Sequence, residues 1–350
     1  PVAPPGGGGG RLSVLKAPAL SCRPRPGHLV WLLVPLMIGW AAQTAPLAHL
    51  RETLSGLGWV QVSSLLGLNV LVVLSFSGRW WAILRGLGQR VPYFRLSAYR
   101  LAAFGISYFT PGPQFGGEPL QAYALRKRHG VPGATATASV ALDKLLEVTV
   151  NLAVLVAGIG LTLHQQVWGR QMGAGALAAA LILLALPISF FLALGAGRQP
   201  ATWLAQRSPA WLQEMTLYRR FRDFVIVSET EAAQFCRRKP LRVLQALAFS
   251  LLSWGLLSSE LWLAVRFLGP SLTWLQLVAI LTAARIAFLL PLPGGLGTLE
   301  ASQVLAFQAI GLDPATGLSL SLVIRVRDAL FGGAGLWWGS LLISKRDTCE

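Results

Sequence analysis

Acidic side chains are scarce: 14 Asp and Glu stand against 30 Lys and Arg in 350 residues, and charged residues of both signs make up only 13%. That is about half the charged fraction of an ordinary globular domain, which argues against a chain that covers itself with a solvated surface. Cysteine is rarer still. Cys22, Cys236 and Cys349 are too widely separated to staple a small fold or ligate a metal, and they read as inert thiols on the cytoplasmic side. The four histidines, at 28, 49, 129 and 164, lack metal-ligand spacing, and no Walker A sequence is present. No metal and no cofactor are therefore expected, and any transport must be passive, ion-coupled or driven by a partner.

What is abundant is apolar: 54% of the residues are hydrophobic and the mean hydropathy is +0.56. The net charge of +16 does not make a nucleic-acid binder, because the basic residues lie in short runs between apolar stretches and not on one solvated face. Residues 1–27 begin with the Pro/Gly run Pro1 to Gly10 and read as a disordered tail. Arg23 and Arg25 ahead of the apolar run from Leu29 resemble a secretory signal, but that run is long and no convincing cleavage site follows, so a retained span is expected.

A bilayer core of ~30 Å takes about 20 helical residues. Runs of that order occur at 28–47, 59–78, 134–163, 175–196, 241–267 and 314–343, which predicts about six transmembrane helices. Trp59 at one end of the second run, with Trp80 and Trp81 at the other, suits an aromatic belt at both interfaces. Two more apolar stretches, 97–127 and 273–310, are cut by prolines and glycines into halves too short to span. Backbone that leaves the helix inside a membrane is tolerated only where protein or a watery cavity satisfies it, so both are expected to be re-entrant hairpins.

Charge supports that topology. With a cytoplasmic N-terminus, 23 basic residues fall inside, among them Arg79, Arg85, Arg90, Arg95 and Arg100, and only Arg51, Arg170 and Arg266 fall outside. The expectation is an all-α polytopic protein of the plasma (inner) membrane, both termini cytoplasmic. In the cytoplasmic connection 198–240, Leu217, Phe221, Phe224, Val225, Ser228, Ala232 and Phe235 follow a helical period, with Arg219, Arg220 and Arg222 off that face. This reads as a helix lying on the anionic leaflet, or as a regulatory docking site.

The two interrupted stretches are also counterparts. Pro111-Gly112-Pro113 precedes Glu118, and Pro291 through Gly297 precedes Glu300; a span with central charges follows each, Asp143, Lys144 and Glu147 in one and Arg325, Arg327 and Asp328 in the other. The offset is roughly 181 residues, which divides the chain into a first repeat, 28–163, and a second, 175–343. Three spans separate the hairpins, so the second should enter from the opposite face, an inverted repeat. Interrupted segments in corresponding places point to a transporter's midplane site.

Ionisable groups inside a bilayer are costly, and face a partner or a cavity. Asp143 and Glu147 share a helix face beside Lys144; they form either an internal salt bridge or a proton relay or head-group contact. Arg325 and Asp328 are spaced to pair with each other, and Arg325 aligns with Asp143 across the repeat. Arg325, with Arg285 as a second cation, suits a phosphate. Glu118 and Glu300 either cap the half-helices or join the site, and Glu260 reads as a buried hydrogen-bonding group. Gly116, Gly117, Gly294, Gly295 and Gly297 would let backbone amides approach an anion.

In these residues the chain resembles the lysylphosphatidylglycerol synthase transmembrane-region family of flippase-like membrane proteins, over about residues 28–343. The resemblance rests on Thr110-Pro111-Gly112 through Gly117-Glu118, on Asp143-Lys144-Leu145-Leu146-Glu147, on Pro291 through Glu300, and on Arg325. Where the family commonly has Glu-Arg followed by Asp, this chain has Asp-Lys followed by Glu, which loses bidentate arginine contact at Lys144. The resemblance implies movement of a lipid between leaflets without the synthase reaction, which belongs to a separate soluble domain. The expected function is translocation of a phospholipid or lipid-linked head group, not enzymatic catalysis, with anionic or phosphate-bearing membrane lipids as partners. A membrane-embedded transferase using Asp143 or Glu118 as base, and an accessory subunit of a lipid-modifying synthase, are the alternatives.

Overall fold

The computed structural model describes residues 58–109, 116–164, 170–209, 215–290, 295 and 297–344, so the expected tail and the span 28–47 lie outside the described residues. Eleven helices and no strands occur among them: α1 (Trp59–Gly86), α2 (Tyr93–Phe109), α3 (Glu118–His129), α4 (Gly133–His164), α5 (Arg170–Gly195), α6 (Pro200–Gln206), α7 (Thr216–Arg238), α8 (Pro240–Phe267), α9 (Trp274–Leu289), α10 (Thr298–Ala309) and α11 (Pro314–Ser344). Four of them, α1, α4, α5 and α8, are long and apolar enough to cross a bilayer. Helix α11 has the length, 31 residues, but carries Arg325, Arg327 and Asp328 at its middle.

Both interrupted stretches form helix pairs. Their arms are 17 and 12 residues in α2 and α3, and 16 and 12 in α9 and α10. At ~1.5 Å per residue none of the four reaches across a ~30 Å core. Local chemistry sets their ends. Thr273 caps α9 with its hydroxyl on the Gln276 amide, and the Gln276 side chain reaches the Ile310 carbonyl at 3.4 Å, closing the open end of the second pair. At the turn of the first pair the Gly117 amide donates to Ser107 Oγ at 2.9 Å. A β-carbon on Gly117 would run into the Ala103 backbone, so only glycine lets the arms approach this closely.

Helix order and length recur. α1, α2, α3 and α4 start at 59, 93, 118 and 133, and α8, α9, α10 and α11 at 240, 274, 298 and 314, an offset of 181 residues for three pairs and 180 for one. Packing recurs as well: α1 lies along α8, α2 against α11 as α9 lies against α4, and α3 on α4 as α10 lies on α11.

The two flanks differ in what meets across them: on α4 and α9, Gly158 faces the Thr282 side chain. On α2 and α11, a β-carbon at Gly105 would lie 2.5 Å from the Gly332 carbonyl, and one at Gly335 would collide with the Leu101 carbonyl. Backbones therefore meet directly, the small-residue seam that serves helices when lipid supplies no hydrophobic drive.

Helix α7 carries the expected apolar stripe and lays its C-terminal part on the bundle. Its residues Ala232, Ala233 and Phe235 are buried with Ala82, Ile83, Leu142 and Leu146 of the bundle. Glu229 accepts from the Ala201 and Thr202 amides at the start of α6, and Glu231 accepts from Thr135 at 2.9 Å. The C-terminal part of the apolar face packs on protein. The reason is the contact surface offered by Gly86, where any side chain would strike the Phe235 ring. Phe224 and Val227 remain exposed.

Two outcomes follow from this packing. Gly335→Val should lower the melting temperature in detergent, at a cost of about 1–3 kcal/mol, whereas Gly333→Val, whose β-carbon would meet nothing within 4 Å, should leave it unchanged. Burial pushes the Cys236 thiol up to about 11 from its ordinary 9. In a chain carrying Cys22→Ser and Cys349→Ser, iodoacetamide at pH 8 should therefore modify Cys236 on the order of a hundredfold more slowly than a free cysteine.

Candidate functional site: a charged cavity between two helix pairs

In the first half, four elements converge on one cluster. Arg79, near the end of α1 and only 1% exposed, places Nε 2.7 Å from Asp143 and Nη2 2.7 Å from Glu147. Asp143 and Glu147 lie one turn apart on α4, so one planar guanidinium meets both. Arg100 of α2 bonds the same two carboxylates, with its Nη2 2.8 Å from Glu147, and both arginines lie over the Phe76 ring at 5.4 Å. Lys144 bridges Glu147 at 3.0 Å and Glu118 at 3.2 Å, tying the first residue of α3 to α4.

The second half has its own pairs. Arg325 of α11 holds Glu300 of α10 through both Nε and Nη2, and Nη2 also donates to the Gly295 carbonyl at 3.1 Å. Arg327 bonds Glu260 of α8 at 2.5 Å and its neighbour Asp328 at 2.8 Å. The expected Arg325–Asp328 pair is therefore corrected: Arg325 turns to the helix pair and Asp328 goes to Arg327. The register is corrected too, because an offset of 181 sets Lys144, not Asp143, opposite Arg325. Each repeat thus joins a glutamate at the start of its short arm to a cation on the following long helix. Glu147 then corresponds to Asp328, and Arg79 to Glu260. At that last position the charge is reversed.

Arg79 and Arg100 were expected among the cytoplasmic flanking charges; both sit within the bundle. Their place is set by the acids of α4: without them Asp143 would be buried with no partner and Glu147 would keep Lys144 alone. An arginine one or two turns inside a helix end carries no local sign that it points inward, and only the excess of acid on α4 hints at missing cations.

A cavity of about 200 Å3 opens against this cluster, far larger than one water needs. Of the expected site residues, Gly117, Glu118, Asp143, Lys144, Glu147, Arg285 and Asp328 line it, together with Arg100 and Arg327. Glu300 and Arg325 do not line it and form their own pair, linked to it through Tyr108, which lines the cavity and hydrogen-bonds Arg325. Both halves contribute walls.

The glycine backbone does not present the expected anion cradle. The Gly116 amide is taken by Glu118 Oε2 at 2.8 Å and the Gly117 amide by Ser107, while Gly295 offers a carbonyl to a cation. At the first break the protein's own carboxylate fills the amide site. Gly297 caps α10 at φ 76°, and Gly294 lies outside the described residues. Arg285 differs from the other cations of the cavity. Its guanidinium stacks over the Trp254 ring at 4.5 Å, its Nε is buried without a hydrogen-bond partner, and it belongs to no ion pair among the described residues. Among those residues no group of three or more His, Cys, Asp or Glu could hold a metal ion.

The sequence profile of the family described as the lysylphosphatidylglycerol synthase TM region matches residues 26–334. A UPF0104 membrane protein of Methanothermobacter thermautotrophicus is 25% identical over 270 residues, covering 74% of this chain and 78% of that protein. A UPF0104 membrane protein of Pyrococcus horikoshii is 24% identical over 263 residues, covering 73% of this chain and 78% of its own length. No solved structure matches. With charged helix pairs packed between long apolar helices and a profile match over most of its length, the chain is a membrane protein and belongs to the lysylphosphatidylglycerol synthase TM region family.

Proposed function

We propose that the chain translocates a phospholipid or lipid-linked head group between leaflets, with the charged cavity as the polar station within the bilayer. The observation that carries this reading is Arg285: a cation in a cavity walled by both halves, with a buried donor, Nε, that no group among the described residues satisfies. Phosphate oxygen supplies the missing acceptor, and guanidinium matches its geometry. The carboxylates of the cavity already face cations, so they read as a framework that holds the head-group space open more than as a base awaiting a substrate. In this reading the helix pairs enter from opposite faces, with both termini in the cytoplasm of a plasma-membrane protein, and anionic or phosphate-bearing lipids are the ligands.

Arg285→Gln should reduce head-group translocation in proteoliposomes at least tenfold while leaving the melting temperature nearly unchanged, since no ion pair is broken. Arg79→Gln should act the other way round, costing about 1–3 kcal/mol of stability because Asp143 then keeps only Arg100, and Glu147 only Arg100 and Lys144, as charged partners. An unaltered rate in folded Arg285→Gln protein rejects the site. For the topology, Arg126→Cys at the end of α3 and Ala315→Cys at the start of α11 should react with impermeant maleimide from opposite sides of the membrane; reaction from one side removes the inversion.

A further inference from the structure

A second, larger cavity adjoins the first. A cleft of about 610 Å3 runs between α4, α8 and α9, with Trp254, Trp262 and Trp274 among aliphatic walls. Arg285 is its only charged lining residue among the described residues, and the same side chain lines the charged cavity. The hydroxyls of Ser259 and Thr282 are turned onto carbonyls of their own helices, at Gly255 and Val278, which leaves the cleft still more apolar. Gly255 keeps it wide: a β-carbon there would meet nothing within 4 Å. The cleft lies on the α4/α9 flank, the counterpart of the glycine seam that closes α2 against α11.

An apolar trough ending at a guanidinium whose buried Nε has no acceptor among the described residues, with a polar chamber beyond it, has the polarity of one kind of ligand. We propose that the cleft holds one acyl chain of a phosphate-bearing membrane lipid whose phosphate bonds Arg285 and whose remaining head group lies in the charged cavity. This rests on the translocation reading for the purpose of that cavity. Charge complementarity selects the occupant: a neutral lipid fills the trough but leaves the Arg285 donor without an acceptor, and a free phosphate satisfies the donor but leaves the trough unfilled. Trp254 ties the two cavities together, because it walls the cleft and stacks on the guanidinium that receives the phosphate.

The test uses the full chain in nanodiscs with phosphatidylglycerol carrying a mid-chain diazirine, against diacylglycerol with the same chain, and maps adducts by peptide mass spectrometry. Phosphatidylglycerol should label α8 around 254–262 and α9 around 274–282. Those adducts should fall at least tenfold with the diacylglycerol probe, in Arg285→Ala and in Gly255→Phe. They should persist in Gly175→Phe, which alters an open position on α5, and in the presence of millimolar glycerol phosphate. Melting temperatures confirm that each variant is folded. Adducts spread evenly over lipid-facing helices, retained in Arg285→Ala, or displaced by glycerol phosphate alone overturn the proposal. If folded Gly255→Phe protein keeps its cleft adducts and translocates normally, the cleft is not where the acyl chain sits and the proposal fails while the transport reading stands. Normal, Arg285-dependent adducts in a wild-type protein that translocates nothing leave the cleft assignment in place and remove the transport reading.

Discussion

The grip of two carboxylates on one buried arginine organises the first half of the molecule. Arg79 is almost wholly removed from solvent, and a guanidinium in that setting persists only if its charge and its donors are met. Asp143 and Glu147 meet both, and in doing so they fix the rotation of α4 against α1. Arg100 brings α2 to the same two acids and Lys144 brings the start of α3. In a bilayer, apolar contact gives helices little reason to prefer each other over lipid. Polar contacts and backbone apposition must then choose the partners, and this bundle uses both.

The second half repeats the scheme with altered signs. Where α1 gives an arginine to acids on α4, α8 gives a glutamate to an arginine on α11. The link between short arm and long helix keeps its sign in both halves, as Glu118 with Lys144 and Glu300 with Arg325. What is conserved between the halves is therefore the position of the charge contact, and its polarity is free to vary. Of the described cations that line the cavity, Arg285 is the one that no carboxylate claims in an ion pair.

The long apolar runs at 59–78, 134–163, 175–196 and 241–267 were legible in the sequence because length and hydropathy together specify a spanning helix, and the Pro/Gly interruptions were legible because they divide such runs into halves too short to cross. Glu118, Asp143, Lys144 and Glu147 announced themselves as charges in apolar surroundings. Their partners did not. Arg79 and Arg100 stand near helix ends where arginine ordinarily marks the cytoplasmic face, and only tertiary packing carries them inward. Arg325 and Asp328 are spaced for a local pair, yet Glu300 outcompetes Asp328 because the short arm returns alongside α11. Periodicity located the apolar stripe on α7 but not the surface that covers it, since lipid and a helix bundle reward the same stripe.

The glycine seam between α2 and α11 gives the molecule a mechanical polarity. Where main chains touch, there are no side chains to rotate out of the way, so that edge can separate only as rigid bodies and at the loss of the whole contact. The opposite edge, between α4 and α9, meets through a side chain where Gly158 faces Thr282 and opens into a cleft beside it, so it can yield through rotamer changes. Lateral pressure from a thicker or more crowded bilayer will accordingly be absorbed unevenly, with one edge acting as a spine and the other as the place where the protein gives.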